Sequence, residues 1–339
     1  MKKTIELFKK IAKKYLAPIR KLNVSDWADE HRVLSAGNAY PGKWRTKKAP
    51  YQKEIMDAFT QKDIQRIVVM CASQVGKSDI ANNVIGRFAH LDPCPMMMVQ
   101  PTDAMAQDYS KSRIAPMIRD TKVLKSLFKE SKSKDTSNTI LNKIFPGGRL
   151  VITGSNSPSS LASRIIRILL CDEVDRFEVS AGTEGDPVAL AEKRQTTFWN
   201  KITALFSTPT IKGYSRIEAE YQLGTQEEWQ HQCPNCREYH LISHRNMNWE
   251  AQELKINSED EGVQTTYLVG KVEWVCPDCG YSFDEETIKK QLQKYIVKNP
   301  KALQNNVRSF FVNGFTPAWI SWKDIIREYL EAQHDENLL

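Results

Sequence analysis

A chain of 339 residues with 41% hydrophobic content can bury one large core or two medium ones. No apolar run approaches the ~18 residues of a membrane span, and the N-terminus lacks the unbroken apolar segment of a secretory signal, so no membrane partner is expected. The formal charge is +7, but residues 1–21 carry all of that excess, which argues against a generally basic, nucleic-acid-coating body.

Within that basic stretch Ile5, Phe8, Ala12, Tyr15, Leu16 and Ile19 recur at helical spacing, predicting a basic amphipathic helix in segment 1–23. Its basic face is either solvated or docked on a partner. Residues 24–50 read as irregular, punctuated by Gly37, Pro41, Gly42 and Pro50. A helix opens at Pro50. Its Gln52, beside Tyr51, is of the type that pairs with adenine while an aromatic ring stacks on it, the plain alternative being an ordinary helix start with a buried Tyr.

Next comes Arg66-Ile-Val-Val-Met-Cys71, an apolar, β-branched run. It ends in a turn closing on Gly76-Lys77-Ser78, and residues 79–90 are compatible with a helix. Strand, loop and helix in that order make a phosphate cradle, with backbone N–H groups and the helix N-terminus facing the anion. Ser73, Gln74, Val75 and Gly76 supply the loop. Lys77 would reach the β- and γ-phosphates of ATP, and the Ser78 hydroxyl would ligate Mg²⁺. The common pattern has glycine at the position held here by Cys71.

Residues 95–101 read as a short buried strand, and Thr102-Asp103 can cap a helix to about Arg119. A hairpin is expected over 138–154 and a polar loop over 154–160. The apolar run from Ile165 ends in Asp172-Glu173. Adjacent carboxylates at the C-terminal edge of a parallel sheet suit nucleotide chemistry. Asp172 would hold Mg²⁺, and Glu173 would orient and deprotonate the attacking water. Strand 202–206 ends in Ser207-Thr-Pro-Thr210. Hydroxyls there are placed to sense the γ-phosphate, the plain alternative being a serine–threonine turn.

Seven cysteines, an odd number, argue against a disulfide framework. Four of them form Cys233-Pro-Asn-Cys236 and Cys276-Pro-Asp-Cys279. Two such knuckles make a tetrahedral S₄ zinc site of the closed, structural kind. Trp249, Trp274 and Tyr281 are expected to build its small core. Residues 285–297 read as helix. Strand 308–314 is expected to return to the main sheet, followed by a helix with Trp322, Ile325, Ile326 and Tyr329 on one face.

Taken together, Ala72-Ser-Gln-Val-Gly-Lys-Ser78, Leu170-Cys-Asp-Glu173 and Ser207-Thr-Pro-Thr210 resemble the motifs of large terminase subunits of tailed bacteriophages. The likeness is to the ATPase portion of the lambda-type, GpA-like family. It extends to Ser25-Asp-Trp-Ala-Asp29, Pro41-Gly-Lys-Trp-Arg45, Pro50-Tyr-Gln52, Val99-Gln-Pro-Thr102 and Phe310-Phe-Val-Asn-Gly314. Terminase loops often lack the first glycine. Many carry an Arg where Ser73 or Gln74 stands here, so that Arg's role does not transfer.

The resemblance implies an α/β fold: a mostly parallel sheet of the ASCE, RecA-like P-loop type with helices on both faces, plus a small β-rich zinc module. The expected division is 1–23 basic helix, 24–225 ATPase core, 226–285 zinc module and 286–339 returning to the core. It further implies an ATP-driven translocase, working as a homo-oligomeric ring in the host bacterial cytoplasm. Such a ring packages double-stranded DNA into procapsids with a small terminase subunit and the portal protein. Ser207 and Thr208 would couple phosphate state to motion. Arg164 would act as an arginine finger across a subunit interface, or else as a surface or DNA-facing residue. The family's C-terminal nuclease is expected to be absent, so no DNA cleavage is expected from these residues. The competing reading is a helicase-like or repair DNA-dependent ATPase.

Overall fold

Strands buried on both faces read as unbroken apolar runs, and such runs build the centre of this protein. The computed structural model describes residues 5–6, 21–128, 139–258 and 262–333. The basic helix expected in 1–23 falls almost wholly outside the described residues.

In chain order, helix α1 (Val24–His31) precedes a small ribbon of β1 (Val33–Leu34) and β2 (Gly42–Lys43). Helix α2 (Tyr51–Ala58), strand β3 (Arg66–Cys71), α3 (Lys77–Leu91) and β4 (Pro95–Gln100) follow. Helix α4 (Asp103–Tyr109) continues through a π turn into α5 (Ala115–Asp120), then α6 (Lys122–Leu127). The hairpin β5 (Asn142–Phe145) and β6 (Gly148–Gly154) leads to α7 (Pro158–Ala162), β7 (Ile168–Asp172), α8 (Pro187–Glu192), β8 (Ile202–Ser207) and α9 (Arg216–Leu223). The last third holds β9 (Glu227–Gln232), β10 (Tyr239–His240), β11 (Met247–Ser258), β12 (Gly262–Val275), β13 (Ser282–Asp284), α10 (Glu285–Lys289), β14 (Gln293–Val297), β15 (Val307–Val312) and α11 (Trp322–Ala332).

The main sheet is ten-stranded, ordered β10-β9-β15-β3-β8-β7-β4-β6-β5, with β14 also paired to β9. Its interior, from β9 to β6, is parallel. The pairings of β5, β10 and β14 are antiparallel. Alternate residues of one strand serve two cores. Ile67, Val69 and Cys71 face the cluster with α1 to α6, whereas Val68 faces the cluster with α8 and α9. Met96 and Met98 against Met97 and Val99 divide the same way. This is a mixed α/β fold around a mostly parallel sheet. Among the described residues, no helix is long and apolar enough to cross a membrane.

Several expectations need correction. Residues 24–50 are not uniformly irregular. Val24, Trp27 and Ala28, at i, i+3 and i+4, are fully buried as one face of α1. Trp27 lies so close to Gly86 of α3 that a Cβ there would come within 2.2 Å of the indole, so the glycine permits this contact. Residues 285–297 are not one helix. Asp284 caps the short α10 through the Thr287 amide, and 293–297 is strand. Pairing with β9 sets Tyr295 edge-to-face with Trp229, and it meets Phe310 in the same way, with ring centroids 4.8 and 5.1 Å apart. Burial of that aromatic set overrides local helix preference. The expected polar loop 154–160 includes the first turn of α7, and the hairpin begins at Asn142.

The segment 226–285 is likewise not separate from the main sheet, because β9 and β10 lie in it. A second sheet, β11-β12-β13, forms the rest. Helix α11 does not pack on the main core. Its Trp322 and Ile326 join Trp274, Val272 and Ile288 in a third cluster beside the cysteines. Tyr281, expected in that cluster, is 59% exposed.

Candidate active site and metal centre

Three strand ends converge. Strand β8 lies between β3 and β7, so the loop after β3, the acids ending β7 and the hydroxyls ending β8 share the C-terminal edge of the parallel sheet. Cys71 is the last residue of β3, paired with Val312, and is fully buried with extended backbone. Glycine is dispensable there for that reason. The left-handed conformations fall instead at Gln74 (φ 59°) and Gly76 (φ 83°). At Gly76 a Cβ would lie 2.4 Å from Gln52 Nε2, which only glycine avoids.

The loop carbonyls are drawn outward. Gln74 O accepts from Trp319 Nε1 at 3.0 Å. Val75 O accepts from both Tyr51 Oη (3.0 Å) and Gln52 Nε2 (2.9 Å). In a trans peptide the next N–H points the opposite way. The amides of Val75 and Gly76 therefore face away from those partners, at the N-terminus of α3, where an anion is favoured.

Lys77 opens α3 and is only 9% exposed. Its Nζ lies 2.8 Å from Glu173 Oε1 and donates to Thr208 Oγ1 at 3.2 Å. Burial disfavours its ammonium form, but Cys71, Glu173 and Asp172 outweigh that and hold its pKa above the usual lysine value. Glu173 itself sits at φ 58°, an uncommon left-handed conformation for a non-glycine residue.

Asp172 is 4% exposed. Burial first, then the Glu173 charge, raises its carboxyl above the usual range. Gln100 Nε2, at the end of β4, donates to its Oδ2 at 3.3 Å, and Oδ1 is buried without a partner. A buried carboxylate oxygen lacking a donor fits a cation, whose charge would also reverse that pKa shift.

The turn after β7 is tied to the end of β8. Ser207 Oγ accepts from the Asp175 amide at 3.3 Å. The Asp175 carboxylate accepts from the Thr210 amide and hydroxyl and from the Ile217 amide. Beside the phosphate loop a cleft of about 540 Å³ is lined by Tyr40, Trp44, Lys48, Gln52, Gln74 and Trp319, among others.

The four cysteines meet as two matched knuckles. Arg237 N donates to Cys233 O and Gly280 N to Cys276 O, each at positive φ. All four Sγ atoms lie within 4.8 Å of one another, with Cys233–Cys279 and Cys236–Cys276 both 3.7 Å apart. A tetrahedron of sulfurs ~2.3 Å from zinc has edges of about 3.8 Å. The donor set and its spacing therefore fit such an ion. Hydrogen bonds from the Asn235 side chain and the Tyr281 amide lower the pKa of the Cys279 thiol, whereas burial pushes that of Cys276 up.

The structure thus gathers Gln52, the 73–78 loop, Asp172, Glu173, Ser207 and Thr208 in one place. It does not bring Arg164 there: that residue donates to Asn142 Oδ1 at 3.2 Å, at the β5 edge of the sheet. Gln52 bonds the loop backbone, and its Oε1 is buried without a partner. Sequence reasoning assigned no role to Gln100, although the motif Val99-Gln-Pro-Thr102 contains it, and missed Trp319 altogether.

A family model described as phage terminase large subunit gpA, ATPase domain, matches residues 38–295. The chain is 25% identical over 332 residues to the terminase large subunit of Enterobacteria phage P21, covering 93% of this chain and 50% of that protein. It is 29% identical over 217 residues to the terminase large subunit of Escherichia phage lambda, covering 63% of this chain and 33% of that protein. The chain therefore spans half or less of the length of these relatives. The HK97 bacteriophage large terminase structure aligns at TM-score 0.47 and 12% identity, over 59% of this chain and 40% of that one. The segment matched by the family model contains the phosphate loop, Asp172, Glu173, Thr208 and all four cysteines, and the chain belongs to the phage terminase large subunit gpA ATPase-domain family.

Proposed function

We propose that the chain hydrolyses ATP where β3, β7 and β8 end, and that hydrolysis drives double-stranded DNA into procapsids. The observation that carries the reading is the Lys77 ammonium, held between Glu173 and Thr208 next to the unpartnered oxygen of Asp172. Entering β- and γ-phosphates compete with Glu173 for Lys77. Glu173, once released, accepts a proton from the attacking water. Ser78 and Asp172 are the residues to hold Mg²⁺, which neutralises charge on the transferring phosphate. Thr208, bonded to Lys77, senses the phosphate. Ser207, bonded to the turn after Glu173, carries the change to the β8 loop.

The position of β8 between β3 and β7 supports the ASCE assignment. The four cysteines are read as a closed structural Zn²⁺ site. The division proposed is a P-loop core that includes β9, β14 and β15, and a metal module of β11 to β13 with α11. A ring of copies acting with a small subunit and a portal in the host cytoplasm is the assembly that family membership favours, and nothing in the structure favours the helicase or repair alternative. Among the described residues the cysteines are the one group of three or more His, Cys, Asp and Glu side chains placed for a metal.

Two measurements test this. Lys77→Ala should lower DNA-stimulated ATP turnover by about 10²–10³-fold, as loss of a transition-state charge partner does; a variant as active as the native protein would sink the reading. Arg164 lies away from its own phosphate loop, which suits a finger acting on a neighbouring subunit. Mixing Arg164→Ala with Glu173→Gln protein should then restore part of the activity that each lacks alone, and a mixture as inactive as its parents rejects the assignment.

A further inference from the structure

The family model ends at residue 295, yet one wall of the cleft beside the phosphate loop comes from residue 319. Trp319 lies in the segment between β15 and α11, and this segment is held from both sides. Lys289 Nζ donates to Pro317 O and Ile320 O, each at 2.7 Å. Trp322 Nε1 donates to Phe315 O at 3.0 Å. The Trp319 indole donates to Gln74 O, at one of the loop's two left-handed residues. Trp319 lines the cleft and is 37% exposed, and Tyr40, 50% exposed, meets its ring with centroids 6.4 Å apart. Lys48 Nζ stands 4.8 Å from the Tyr40 ring. Two exposed aromatic rings next to a phosphate loop, in a cleft of about 540 Å³, form a surface for a flat heteroaromatic ring. Loss of an aromatic platform of this kind costs about tenfold in affinity, equivalent to about 1.4 kcal/mol.

Resting on the ATPase reading above, we propose that Trp319 is the platform on which the nucleotide base stacks, with Tyr40 closing its edge and Lys289 acting as a positioning residue for the 317–320 turn. The indole N–H, donated to Gln74 O, holds the platform beside the phosphate loop. Because Lys289 and Trp322 also belong to the elements packed beside the cysteines, the platform is continuous with the metal module.

Binding of ADP and of inorganic tripolyphosphate to the full chain, measured by calorimetry, tests this. Trp319→Ala should weaken ADP binding about tenfold and leave tripolyphosphate binding unchanged, with KM for ATP raised and kcat retained. Trp319→Phe keeps a π face and should recover most of the ADP affinity. The native protein should show a nucleotide-dependent tryptophan fluorescence change that this variant lacks. Equal weakening of both ligands by Trp319→Ala would mean that the indole only shapes the loop through Gln74, and would overturn the proposal. So would an unchanged ADP affinity, or a Phe variant no better than Ala. Native protein that binds neither ligand would overturn the ATPase reading with it, whereas native binding insensitive to Trp319 overturns the platform alone.

Discussion

Glu173→Gln is expected to reduce ATP turnover by about 10²–10⁴-fold, the usual contribution of a positioned general base, while ATP binding persists or tightens. The substitution keeps shape and hydrogen-bonding reach but removes the proton acceptor. It also removes the ion pair with Lys77, now 2.8 Å away. That pair occupies the ammonium which the phosphates need. With an amide at 173, Lys77 is more readily surrendered to ATP. Lys77→Ala should behave differently, losing binding along with turnover. Single-turnover hydrolysis of labelled ATP, set beside equilibrium binding, separates the two. Turnover by Glu173→Gln at the native rate would remove Glu173 from the proton-transfer role. Turnover and affinity lost in parallel would assign it to binding instead.

Removal of the zinc proposed for the four cysteines should unfold the β11-β12-β13 module and α11. Metal binding to such sites is worth about 10–16 kcal/mol in isolated peptides, comparable with the whole stability of a domain. The third hydrophobic cluster is small, and it includes Cys233 and Cys276 themselves along with Trp274, Trp322 and Ile326. Without the ion, four sulfurs 3.7 to 4.8 Å apart have no common partner, and the cluster loses its closure. One zinc per chain is expected by elemental analysis. A chelator, or Cys276→Ala, should lower the thermal midpoint and expose Trp322 and Trp274 to a fluorescence quencher. Metal-free protein that melts like the native form would show that these are ordinary core thiols. The loss should also reach the 317–320 turn, because Lys289 of α10 holds it and Ile288 lies in the same cluster.

The grouping of the candidate site residues at strand ends was legible because it depends on short contiguous segments. Gly76-Lys77-Ser78, Asp172-Glu173 and Ser207-Thr208 each follow an apolar run that becomes a strand, and each run could be identified without knowing its neighbours. Pairing of the two C-x-x-C knuckles was legible for the same reason, since each presents its thiols through a local turn. What failed were the elements whose form depends on distant partners. Residues 293–297 became strand through β9, and α1 formed because Trp27 meets Gly86. Tyr281 remained outside the small core, and α11 took its place.

The sequence by itself determined the nucleotide-loop residues, the two carboxylates, the β8 hydroxyls and the four thiols, because local backbone order brings each set to a strand end or a knuckle. Only the tertiary structure decided that β8 lies between β3 and β7, which sets Thr208 on Lys77. It alone joined β9 and β14 to the main sheet and carried Trp319 to the loop at Gln74. Those placements follow from strand order and from burial shared across residues far apart in the chain, and no local pattern encodes either.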